Sequence, residues 1–203
     1  MISSTDKPAL RTRMLELRRR AAQARPEAGQ LLAAGFPDQW IPPAGAVVAG
    51  YWPLTGEIDP RPLMNRLAAK GVRLCLPVVM GAGRALSFRS YRDGDPLERR
   101  GMGVSEPLAS QAECRPNLLL VPLLASDHAG NRLGFGKGYY DCTLATLRAS
   151  GPTLAIGLAF DCQMVAELPA YSHDEPLDGL VSDTTVFDFR DEPTRSGGQF
   201  VPR

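Results

Sequence analysis

Apolar residues fall at helical spacing across "STDKPALRTRMLELRRRAAQA", where Leu10, Met14, Leu17 and Ala21 share one arc behind cap-type residues and a first-turn proline. The pattern predicts a first helix over residues 4–24. "PEAGQLLAAGF" predicts a second helical piece, and "DPRPLMNRLAAKG", with Pro near its start and Gly71 at its end, a third. Between and after them lie short, valine- and leucine-rich runs, "AVVAGYW" at 46–52 and "VRLCLPVVM", which suit buried strands. Strand, helix, strand in that order implies a right-handed crossover and a parallel pair. "ALSFRSYR" at 85–92 alternates, as a strand nearer an edge does, and "GDPLERRGMGVSEP" then reads as a Gly- and Pro-rich connection. "LLLVPLLA" at 118–125 is the most apolar run of the chain, "YYDCTLATLRAS" a further helix and "TLAIGLAF" a further central strand. Alternation of this kind predicts an α/β fold: three layers, a mainly parallel central sheet with helices on both faces, Rossmann-like. Residues 1–190 read as one domain whose first helix can close over a site, and 191–203 as a polar, flexible tail.

Charge narrows the function. Against 23 Lys+Arg stand 22 Asp+Glu, so no global field draws nucleic acid or a membrane surface, and "RRR" at 18–20 reads as a solvated helix surface. Any phosphate binding must be local. Cys75, Cys114, Cys142 and Cys162 are far apart, with no C-x-x-C pair and two histidines near nothing metal-like, so neither a zinc site nor a disulfide framework is expected. The start of the chain has no apolar leader and no run reaches the roughly 18 apolar residues of a membrane helix. A cytoplasmic monomer that binds neither nucleic acid nor membrane is the expectation.

The chemistry concentrates in "NRLGFGKGYYD" at 131–141, directly after the most apolar run. Ligands of open α/β sheets collect beyond strand carboxyl ends, where loops enter helices. Gly134, Gly136 and Gly138 let backbone amides approach an anion, and a helix starting near Tyr139 aims its positive end the same way. Walker A and G-x-G-x-x-G patterns both fail here, because Asn131, Gly138 and Tyr139 stand where other residues are required. Arg132 and Lys137 nonetheless flank the loop with two cations that an anion would join. Asp141, one turn into the helix, could hold Mg²⁺ bridging phosphate oxygens. Either Tyr139 or Tyr140 could face the pocket. On the first helix, Lys7, Arg11 and Arg18 lie along one edge of the apolar arc, while Arg13 and Arg20 lie on its other side.

"VPLLASDHAGNRLGFGKGYYD" resembles the signature VPG-x-x-FD-x-x-G-x-RLG-x-G-x-GYYD of the 5-formyltetrahydrofolate cyclo-ligase (5,10-methenyltetrahydrofolate synthetase) family. "KPALR", "TGEID", "GMGVSEP" and "SHDEPLD" resemble further landmarks of that family, in its order, over residues 7–178. The resemblance implies an ATP- and Mg²⁺-dependent closure of 5-formyltetrahydrofolate to 5,10-methenyltetrahydrofolate, with release of ADP and phosphate through an N5-iminium phosphate. It implies catalytic roles for Lys137 and Arg132. ATP would lie against Lys7, Arg11, Arg132, Leu133, Gly134, Phe135, Gly136, Lys137, Gly138 and Tyr139. Asp141 and Asp174 would hold Mg²⁺, and Trp52, Glu57, Met102 and Tyr140 would meet the folate. A loop acid at Asp174, a turn acid at Glu57 and a core ring at Trp52 are the plain alternatives. Met102 stands where an aromatic is more usual, which bears on folate packing rather than on chemistry. Two other functions fit the residues less closely: an ATP-dependent enzyme of the same fold acting on another substrate, and a module that binds nucleotide or folate without turnover.

Overall fold

A computed structural model describes residues 7–190; 4–6 of the expected first helix, the 191–203 tail and the side chain of Met102 lie outside the described residues. The chain order is α1 (Lys7–Ala24), α2 (Ala28–Gly35), β1 (Val47–Ala49), α3 (Arg61–Ala69), β2 (Arg73–Val78), β3 (Ser87–Tyr91), β4 (Leu97–Arg99), β5 (Ser105–Pro107), β6 (Leu118–Pro122), β7 (Ala125–Ser126), β8 (Arg132–Leu133), α4 (Tyr139–Ala149), β9 (Leu154–Ala159), β10 (Gly179–Ser182) and β11 (Val186–Asp188). Seven strands form the central sheet in the order β11-β10-β9-β6-β1-β2-β3. Its five inner strands are mutually parallel, and β11 and β3 add antiparallel edges.

Buried strands need apolar residues on both faces, and the inner strands supply them in alternation. Val48, Leu74, Leu76, Leu118, Leu120, Ile156 and Leu158 pack on one side with α2 and α3. Val47, Ala49, Cys75, Leu119, Val121 and Ala155 pack on the other with Leu144 of α4. These are the three expected layers. α1 covers neither face squarely: Met14, with Leu10 and Leu17 beside it, packs on Leu124, Ala125, Leu133 and Leu168, above the carboxyl end of the sheet. The predicted apolar arc of α1 is therefore the surface that brings this helix onto the loops.

Four expectations change. "AVVAGYW" is strand only over β1, because Tyr51 turns away and donates its hydroxyl to the Ile58 carbonyl at 2.9 Å. "LLLVPLLA" breaks after Pro122 and re-forms as the two-stranded β7–β8 ribbon. The connection over residues 93–107 holds a β4–β5 hairpin, fixed to the end of β2 by the buried Glu106, which accepts the Val79 amide at 3.0 Å. Finally, "GLVS" forms β10, which completes the parallel array. No element was expected over these residues, because a four-residue run with Gly and Ser at its ends carries little pattern. No described helix is long and apolar enough to cross a membrane, and all four cysteines are free.

Candidate active site

From β1 the chain passes through α3 to β2 on one side, then returns through β6 on the other. The strand order thus reverses between β1 and β6, and the space beyond their carboxyl ends is the ligand crevice of an open α/β sheet. Two segments run from those ends: residues 50–60 after β1 and 123–141 after β6.

The second segment is built on Asp127. This buried carboxylate accepts the amides of Ala129, Asn131 and Leu168 and the side-chain amide of Asn131, all at 2.9–3.1 Å. Four donors on one carboxylate pin the turn from β7 into β8, and β8 carries Arg132. The glycine loop follows. Gly136 (φ 84°) and Gly138 (φ 67°) both take left-handed backbone, which side-chain-bearing residues adopt at a cost. Gly138 sits directly before α4, so the free amides of that helix's first turn face the loop.

Charges around the loop are paired across it. Arg132 donates to Asp141 at 2.6 Å, and Asp141 also accepts the Glu175 amide at 3.3 Å. The buried Nε of Arg132 has no hydrogen-bond partner among the described residues. Arg11 donates its Nε to the Gly134 carbonyl at 3.0 Å. Lys7 pairs with Asp174 at 3.3 Å and lies 3.9 Å over the Tyr171 ring. Lys137 is exposed and has no hydrogen bond or ion pair among the described residues. Asp141 and Asp174 are thus neighbours through the Glu175 amide, each balanced by one cation.

The first segment forms a buried acceptor site. Arg18 and Glu57 pair at 3.3 Å, with side chains each 4% exposed. The other Glu57 oxygen accepts the Leu54 amide at 2.9 Å. Together with Tyr51, Ile58, Pro122, Leu123, Leu158 and Gln163 they line a narrow crevice with no room for a water molecule. Burial raises the Glu57 pKa, while the Leu54 amide and Arg18 pull it back. Tyr140 lies against the same charge: burial first, then Glu57, raises its phenol. Its ring also receives the Arg132 guanidinium at 5.5 Å. Tyr140 is therefore the tyrosine that faces inward.

The structure brings Lys7, Arg11, Arg132, Asp141, Asp174 and the loop glycines together around one surface, and Glu57 with Tyr140 beside it. Lys7 and Arg11 touch Asp174 and the loop backbone. Leu133 is buried under α1, and Phe135 lies 48% exposed at the loop tip. Trp52 packs edge-on against Tyr91 with Arg61 5.1 Å from its ring, at the β3 edge. Three participants were not singled out in the sequence: Tyr51, Gln163 and Asp127. Gln163 donates to the carbonyls of Leu123 and Leu124 at 2.8 and 3.1 Å, a role "DCQM" gives no sign of. The solvated reading of "RRR" needs correction at Arg18, which is buried, while Arg19 and Arg20 are exposed and pair with Glu16.

Magnesium is tested by the donors present. Among the described residues no three His, Cys, Asp or Glu side chains cluster as a metal cage. Two adjacent carboxylates fit Mg²⁺, which is commonly held by one or two carboxylates plus substrate phosphates and water.

A glycine loop leading into a helix beside a buried carboxylate, at the point where a parallel sheet reverses its strand order, places the protein among α/β domains with a composite polar site. More narrowly, the chain belongs to the 5-formyltetrahydrofolate cyclo-ligase family, whose model matches residues 3–183. It is 33% identical over 186 residues to the 5-formyltetrahydrofolate cyclo-ligase of Escherichia coli (strain K12), covering 87% of this chain and 100% of that protein. The Mycolicibacterium smegmatis cyclo-ligase is 32% identical over 181 residues, covering 85% and 91%. The structure of Aquifex aeolicus 5,10-methenyltetrahydrofolate synthetase superimposes with a TM-score of 0.73 at 29% identity, covering 94% of this chain and 96% of that one.

Proposed function

We propose that the protein closes 5-formyltetrahydrofolate to 5,10-methenyltetrahydrofolate with consumption of ATP. The observation that carries this reading is the adjacency of two unlike halves: a cationic glycine loop feeding α4, and the buried Glu57 crevice, joined through Tyr140.

A formamide oxygen is a poor leaving group, so ring closure needs it activated. In the proposed sequence the formyl oxygen attacks the γ-phosphorus, the bond to ADP breaks, and N5 carries an iminium phosphate. N10 then attacks the iminium carbon, loses its proton, and phosphate departs with the former formyl oxygen. The protein's task is alignment, charge neutralisation and exclusion of water.

Lys137, exposed and unpaired, reaches the transferred phosphoryl oxygens; Arg132 offers its unpartnered Nε beside them. The amides around Gly134, Gly136 and Gly138, with those of Leu133, Phe135 and Tyr139, cradle the remaining phosphate oxygens. Arg11 holds the loop by its Gly134 carbonyl, and Lys7 closes from α1. Asp141 and Asp174 would hold Mg²⁺, which when bound neutralises β- and γ-phosphate charge. Glu57 accepts the pterin's amino and ring N–H groups as a paired acceptor, and Tyr140 forms the border against which the folate lies. Met102 and Trp52 would meet the outer part of that ligand.

Mixing protein, MgATP and 5-formyltetrahydrofolate should raise the near-ultraviolet absorbance of the methenyl product. Folded protein that binds ATP and gives no rise would sink the proposal.

A further inference from the structure

Arg18 is the side chain the proposed chemistry leaves unused, and it is among the most buried charges in the protein, 3% exposed. Its Nη1 donates to Glu57 at 3.3 Å and to the Leu123 carbonyl, at the carboxyl end of β6, at 3.4 Å. The guanidinium also lies 5.4 Å from the Phe135 ring at the tip of the glycine loop. One residue of α1 thus touches the buried carboxylate, the sheet terminus and the loop.

We propose that Arg18 is a positioning residue that keeps the Glu57 carboxylate ionised and aimed into the crevice, so that it can accept N–H groups of the pterin ring. The inference rests on the folate reading of that crevice. Its chemistry is that of a desolvated acid. A carboxylate offers acceptors on both oxygens; its protonated form turns one of them into a donor and meets a ring N–H with an O–H. Burial favours the protonated form and a cation in contact favours the ionised one. The groups facing Glu57 are Arg18 from α1, Tyr51 after β1 and Tyr140 from α4. Among them Arg18 alone is a cation. Oε1 takes Arg18, Oε2 takes the Leu54 amide, and each oxygen keeps a further lone pair for a ligand that enters as the crevice widens.

The test is the pH dependence of Arg18→Gln. First, wild-type protein is shown to form the methenyl product; if it does not, the folate reading fails before this one is reached. In Arg18→Gln the KM for 5-formyltetrahydrofolate should rise at least about tenfold at the acid end of the pH range in which the protein stays folded and recover several-fold as pH rises and the Glu57 acid ionises. The KM for MgATP should stay within about twofold. Arg18→Lys, which keeps the charge, should restore the flat wild-type pH profile. Adding Glu57→Gln to Arg18→Gln should abolish the pH dependence, because the titrating group is gone. A KM increase independent of pH, or equal losses toward both substrates, would assign Arg18 a merely structural role and overturn the proposal. Should Arg18→Gln not fold, carboxyl ¹³C NMR of Glu57 in the wild-type protein decides: ionised at neutral pH is expected, and protonated there refutes the role.

Discussion

The two halves of the site hold their charges in opposite ways. At the proposed folate end, Arg18 and Glu57 are sealed from solvent in a narrow crevice. The crevice has no room for a water molecule, whereas small-molecule sites usually begin near roughly 300 Å³, so the proposed pterin could enter only if it widens. At the phosphate end, Lys7–Asp174 and Arg132–Asp141 face the loop and Lys137 stands free. In the proposed function those pairs would be exchanged, with Lys7 and Arg132 pairing to phosphate oxygens and Asp174 and Asp141 available to hold Mg²⁺, so that no charge would be left alone. A pair sealed on both sides gives a fixed acceptor, and one whose carboxylates are about a fifth exposed, as Asp174 and Asp141 are, keeps charges that water can reach. The physical difference is desolvation, which makes a buried charge costly to leave unpaired and an exposed one inexpensive.

That contrast fails or sharpens under four substitutions. Glu57→Ala leaves Arg18 buried without a counter-charge and should lower stability by about 3–5 kcal/mol, read from urea unfolding. A loss below about 1 kcal/mol would show that the folate end is not fixed by this pair. Lys137→Ala should lower kcat at least about tenfold, roughly 1.4 kcal/mol of transition-state stabilisation, with an unchanged urea midpoint. Unaltered turnover would remove Lys137 from phosphoryl transfer. Gly138→Ala forces a Cβ onto left-handed backbone at the mouth of α4, with about 1–2 kcal/mol of destabilisation and a raised MgATP KM. The smallest effect belongs to Lys7→Ala, because the lost partner of Asp174 is partly solvated: stability should fall by less than about 1 kcal/mol, while the MgATP KM rises a few-fold. A stability loss there as large as that of Glu57→Ala would erase the distinction.

Strong patterns were readable where one force dominates. β2, β6 and β9 are apolar on both faces, and burial against two helical layers is what such runs require. β10 has the same environment, but its four residues, with Gly and Ser at the ends, carry too little pattern to separate strand from loop. The β7–β8 ribbon depends on Asp127 gathering donors as distant as Leu168, and no local signal reports that. In the site, the glycine loop declared itself because left-handed turns and anion approach demand glycine. Asp141 was nameable from its place one turn into the helix after the loop, and Glu57 and Asp174 through family resemblance, yet their partners were not.

The sequence by itself determined the layered α/β order, the apolar arc of α1 and the loop chemistry of 131–141, since these follow from periodicity and from what individual residue types allow. Tertiary structure decided which of three consecutive arginines is buried, which tyrosine faces inward and which cation each carboxylate holds. Arg18 meets Glu57 across 39 residues and Lys7 meets Asp174 across 167. Such pairings arise only when α1 docks above the sheet, where Arg18 meets the buried Glu57 while Arg19 and Arg20 pair with the exposed Glu16.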